Sequence, residues 1–147
     1  MINNEPHRER ESAHGWCSLR LRFDQRELAL LQAAEQVRGV ALALTPRPDD
    51  LRTALSLARA GHKLAVAAPG ASVSLDEQEV NLLLAAVRYT TDEVQRASRS
   101  QNDQHTRQRD AVATAFPELV ELGGWRSFGL TRELEALAAR LQTALSS

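Results

Sequence analysis

The run SLRLRF, Ser18–Phe23, alternates strictly, with Leu19, Leu21 and Phe23 on one side and Ser18, Arg20 and Arg22 on the other. A side-chain period of two with one apolar face is the pattern of a half-buried strand. The run leads straight into Asp24, with Glu27 three residues further on, a capping-box start for a helix that carries Leu28, Leu31 and Ala34 on one side. Gly39, just after Arg38, is read as the stop of that helix.

The same junction recurs. Shifting the sequence by 52 residues lays FDQRELALLQAA, from Phe23, over LDEQEVNLLLAA, from Leu75, and an alternating stretch precedes both. Residues 23–34 and 75–86 thus share an Asp cap, a Glu, two Leu and two Ala. Duplication is one reading. The preferred one is that two strand-to-helix junctions use the same cap and leucine face.

Between the two junctions the signals are mixed. Val40–Leu44 is a short apolar run that fits either a strand or more helix, and Pro46 and Pro48 end whatever precedes them. Asp49 or Asp50 is expected to cap a second helix with Leu51, Ala54, Leu55 and Ala58 inward, ended by Gly61. Lys63–Ala67 and Ser72–Leu75 read as two strands around a Pro69-Gly70 turn.

Helices dominate after the second junction. Val80, Leu83, Leu84, Val87, Thr91 and Val94 form the strongest apolar stripe in the chain. The polar run Ser98–Thr106 reads as a loop or an exposed helical extension. Ala111, Val112, Ala115 and Phe116 mark another helical stretch, and Pro117 kinks it or begins a short helix ending at Gly123-Gly124. Thr131–Leu145 is expected as the last helix, with Leu134, Leu137, Ala138, Leu141 and Leu145 in one stripe.

These signals predict an α+β class: a helix-rich single domain over residues 16–147, with a small three- or four-stranded sheet and a helical C-terminal half. The sheet would draw on Ser18–Phe23, Lys63–Ala67 and Ser72–Leu75, with Val40–Leu44 as a possible fourth strand. Residues 1–15 mix acids, bases, Pro6 and two histidines without apolar periodicity and read as a flexible tail.

Composition narrows the function classes. With 147 residues, 43% hydrophobic and 25% charged, the chain fits one globular core. Nineteen acids against eighteen Lys plus Arg leave a formal net charge of -1, so no global field draws it to nucleic acid or to an anionic membrane. All the basic residues except Lys63 are Arg. Cys17 is the only cysteine, which rules out an internal disulfide and suits a reducing compartment. No apolar tract is long enough for a signal or a membrane span, so a cytoplasmic location is the expectation.

Candidate chemistry is sparse. His7, His14 and Cys17 lack the paired spacing of a zinc site and are read as unliganded. His62 follows a glycine, where it would complement a helix C-terminus, and His105 reads as solvated. Asp24, Asp76, Glu27 and Glu79 have capping roles that need no substrate. Glu118 and Glu121 have ExxE spacing, and with Asp92 and Glu93 they would supply the carboxylates of a divalent-metal-dependent hydrolase. Phosphate-loop, zincin, nucleophile-elbow and CxxC motifs do not occur, and no cofactor is expected.

Arg20 and Arg22 on the polar side of the first strand, with Arg26 on the first helical turn, form the nucleic-acid candidate. SLRLRFDQRELALLQAAEQVRG, and the later DDLRTALSLARAG, resemble a ribbon-helix-helix DNA-binding domain, in which an amphipathic strand places outward side chains in the major groove. That resemblance implies a DNA-binding regulator. The stretch Val40–Pro48, with two prolines, departs from the short helix-to-helix connection of that family.

Trp125 and Phe128 flank Arg126 in WRSFG, read as a short segment between helices that either clasps the core or offers a partner patch. Taken together, the residues favour a small non-catalytic protein-interaction or regulatory domain, with a homodimer as the expected partner arrangement. The DNA-binding regulator and the metal-dependent hydrolase are the alternatives.

Overall fold

The computed structural model describes residues 8–11, 16–44, 47–99, 106–116 and 125–146. Its elements are β1 Arg8–Glu11, β2 Trp16–Arg22, α1 Gln25–Leu44, α2 Pro48–Ala65, β3 Ser72–Asp76, α3 Glu77–Arg99, α4 Thr106–Ala115 and α5 Trp125–Ser146.

The sheet is built from other strands than expected. Of the anticipated strands, only the first and the third pair, as a two-stranded antiparallel ribbon of β2 and β3 in the register Ser18↔Asp76 through Arg22↔Ser72. The four-residue β1 runs along the other edge of β2, so the strand order is β1-β2-β3. A three- or four-stranded sheet that includes Lys63–Ala67 and Val40–Leu44 is therefore overturned.

Both rejected strands are absorbed by helices for the same reason. Leu64 continues a helical stripe with Leu57 and Ala60, all three buried at 3.6-residue spacing, and α2 runs on to Ala65 before Val66 caps it. Ala41 likewise continues the buried Ala34 and Val37 stripe, and α1 runs on to Leu44. Neither Gly39 nor Gly61 stops its helix. A Cβ on Gly61 would lie 2.9 Å from the side-chain carboxyl carbon of Glu35, so the bare glycine lets α1 and α2 approach closely.

Both strand-to-helix junctions form capping boxes. The Glu27 N–H donates to the Asp24 carboxylate at 2.7 Å, and the Asp24 N–H donates to Glu27 Oε1 at 2.9 Å. At the second junction the Glu79 N–H donates to Asp76 at 2.7 Å and the Asp76 N–H to Glu79 Oε1 at 3.0 Å. A cation clamps each capping glutamate: Arg140 pairs with Glu27, and Lys63 lies 2.6 Å from Glu79. By contrast α2 starts with Pro48 at its first position and no side-chain cap, so Asp49 and Asp50 stand in its first turn rather than capping it.

One core joins the two halves. Leu19, Leu21, Phe23, Val73 and Leu75 form the inner face of the ribbon, and they cluster with buried residues of every described helix. Helix α1 packs against α2, α3 and α4, while α3 also packs against α2, α4 and α5. The expected stripes on α3 and α5 are buried, as at Val80, Leu83, Val87 and Val94 on α3 and Leu134, Leu137 and Leu141 on α5. Between the ribbon strands, Gly70 at φ +78° makes the turn and donates its N–H to the Phe23 carbonyl at 2.8 Å.

Candidate functional site

Two exposed surfaces stand out among the described residues: the outer face of the ribbon and the outer face of α2. Alternation sends Arg20, Arg22, Ser72 and Ser74 outward, all exposed, with Ser18 half-buried beside them. The hydroxyls of Ser18 and Ser74 lie 2.6 Å apart across the two strands. Arg22 also lends its backbone carbonyl to the Arg140 guanidinium, whose carbon sits 5.2 Å from the centre of the Phe23 ring.

Arg26 is held away from this group. Its guanidinium donates to both carboxylate oxygens of Glu133, at 2.7 and 2.9 Å, and tethers the start of α1 to α5. The same hydrogen bond holds the Glu133 carboxyl below its ordinary pKa.

On α2 the structure overturns the expected facing except at Ala54, which packs against the core. Leu51 and Leu55, anticipated as core, are 53% and 69% exposed, and Ala58 is exposed on the same side. The helix carries a second apolar stripe, Leu57, Ala60 and Leu64, on its far side, and that one is buried against α1. The Gln32 amide donates across this contact to the Leu64 carbonyl at 3.3 Å. Two stripes on one helix gave the sequence no means of choosing, because the choice rests on where α1 lies.

Of the carboxylates proposed for metal chemistry, Asp92 and Glu93 differ in burial. Asp92 is exposed in an open groove between α3 and α5 that Arg88, Glu135 and Gln142 also line, whereas Glu93 beside it is buried. Glu118 and Glu121 lie outside the described residues. Among the described residues, no three His, Cys, Asp or Glu side chains come together as a metal-binding group. Trp125, Arg126 and Phe128 fall in the first turn of α5, so WRSFG is helical rather than a connection, and the placement of these three side chains lies outside what the structure describes.

Glu35 was not singled out from the sequence. It is half-buried beside Gly61 at the α1–α2 contact, and loss of solvation raises its carboxyl above the ordinary pKa. Glu79 is a carboxylate only 5% exposed, whose Oε2 has no hydrogen-bond partner among the described residues. Sequence spacing gave its capping role but not its burial.

No family model matches the chain, and neither the curated proteins nor the solved structures include a match. No described helix is long and apolar enough to cross a membrane.

Proposed function

We propose that this chain is a small, non-catalytic, cytoplasmic interaction or regulatory domain that associates with a second copy of itself through the outer face of α2. The observation that carries this reading is the stripe of Leu51, Leu55 and Ala58, spaced i, i+4, i+7 and left exposed although a packed core is available on the other side of the same helix. A helix stripe is well suited to two-fold pairing, because each copy presents the same apolar ridge.

Charge favours an antiparallel arrangement. The first turn of α2 carries Asp49 and Asp50, and its C-terminal part carries Arg59, His62 and Lys63. Pairing about Leu55 would set the acidic end of one helix toward the basic end of the other, each charge already complementing the terminus of its own helix.

Sedimentation equilibrium over a range of concentrations tests the proposal. The wild type should shift toward twice the monomer mass, and Leu55→Asp should remain monomeric with an unchanged melting temperature, since that side chain touches solvent rather than core. A wild-type mass that stays monomeric across the range would remove the self-association reading.

A further inference from the structure

Where α1 passes α4, the small side chains of both helices leave an open groove of about 670 Å³, lined by Gly39, Val40 and Ala43 on α1 and by Ala111 on α4, with Glu35 and Gln36 at its head. Small-molecule sites occupy roughly 300–1,000 Å³. A Cβ on Gly39 would meet nothing within 4 Å, and Val40 is exposed beside it, so the wall of the groove on α1 is apolar and unfilled by these residues. Eight residues separate Glu35 from Ala43, which at the rise of an α-helix is about 12 Å of wall.

Glu35 gives the groove a charged end. Its carboxyl carbon lies 2.9 Å from where a Cβ on Gly61 of α2 would stand, it is half-buried, and among the described residues neither a hydrogen bond nor an ion pair reaches its carboxylate. The cations nearest in the fold are engaged elsewhere: Lys63, two residues beyond Gly61, pairs with Glu79, and Arg38, one helical turn from Glu35, lies over the Tyr89 ring. Desolvation makes the ionised form of Glu35 the costly one, and a cation brought against it offsets that cost.

We infer that the α1–α4 groove binds a small organic cation, a primary amine whose ammonium pairs with Glu35 and whose aliphatic body lies along Gly39, Val40, Ala43 and Ala111. Charge complementarity sets the head group: a primary ammonium is ionised at neutral pH and brings three donors, whereas an anionic amphiphile would set like charge against the carboxylate. Gln36, next to Glu35 in the lining, offers an amide oxygen to a further donor. The apolar wall sets the body, since a cation without a chain would leave that wall in water. The site lies on α1 and α4 and uses neither Leu51, Leu55 nor Ala58, so it goes beyond the α2 pairing surface and does not depend on it.

The test titrates the full chain with n-octylammonium chloride below its micelle-forming concentration, by calorimetry for affinity and by amide NMR for location. Saturable binding of one amine per chain is expected, with the largest shifts at Gly39, Ala43 and Ala111. Octanoate, which keeps the chain and reverses the charge, and methylammonium, which keeps the charge and loses the chain, should each bind at least about tenfold more weakly. Glu35→Gln should lower octylammonium affinity by about tenfold or more. Gly39→Leu, which fills the groove from a position with open space above it, should abolish binding while circular dichroism shows the variant folded. Absence of saturable binding, or equal binding by Gly39→Leu, would overturn the site. Octanoate binding as tightly as octylammonium, or Glu35→Gln binding as tightly as wild type, would overturn the assignment of a cation. Leu55→Asp should bind the amine like the wild type; loss of binding there, or shifts centred on Leu51 and Leu55, would mean that the amphiphile coats the α2 face and would refute the groove, whatever the oligomeric state proves to be.

Discussion

At the scale of single residues, the only lysine of the chain is the most informative side chain. Lys63 compensates Glu79, which is buried, caps α3 through one oxygen and leaves the other without a hydrogen bond among the described residues. Removing the ammonium leaves a buried carboxylate with one partner fewer, at a cost of roughly 1–3 kcal/mol. Lys63→Ala should therefore lower the urea midpoint clearly, and Lys63→Ala/Glu79→Gln should recover part of the loss because the charge to be compensated is gone. Arg26 and Glu133 offer a contrast: their side chains are 49% and 41% exposed, so Arg26→Ala should cost less than about 1 kcal/mol in the same assay. The cap residues were legible from spacing alone, since Asp and Glu three positions apart before an apolar run have a local meaning. The partner of Arg26 was not, because Glu133 lies 107 residues away and no periodicity links the two positions.

At the scale of elements, two glycines separate helix propensity from packing. Both lie inside helices, but a Cβ on Gly39 would meet nothing within 4 Å, whereas one on Gly61 would press on Glu35 at the α1–α2 contact. Gly39→Ala should stabilise the domain by about 0.5–1 kcal/mol through helix propensity and a less flexible unfolded chain. Gly61→Ala should gain less or lose stability, depending on how far the Glu35 side chain can yield; thermal unfolding of the two variants side by side reads the difference. The same contrast explains where element prediction succeeded. Helices α3 and α5 carry one dominant stripe each, so their buried faces could be read directly. Helix α2 carries two, and short segments such as Val40–Leu44 and Lys63–Ala67 take the conformation of the helix they extend. The outward arginines of β2 were legible because alternation fixes both faces of a strand at once.

At the scale of the whole molecule, two carboxyls with opposite shifts shape the pH dependence of stability. Glu133 is held below its ordinary pKa, so its contribution is present above the ordinary value and is lost as pH falls through the lowered one. Glu35 is raised, so the folded chain holds its proton more tightly than the unfolded chain does, and stability declines as pH climbs from the ordinary glutamate value through the raised one. Urea titrations across the acidic to neutral range should show that decline in the wild type, and Glu35→Gln should flatten it and raise the midpoint at neutral pH. The ribbon also governs how the protein must be made. The inner face of β2, with Leu19 and Leu21, finds its partner only once Val73 and Leu75 have been synthesised, some 52 residues later. At about 5–20 residues per second, a nascent chain carries an unpaired amphipathic strand for roughly 3–10 s before its second half leaves the ribosome. During that interval the first half has an open edge and an uncovered apolar face, and chaperone contact is the natural protection for it.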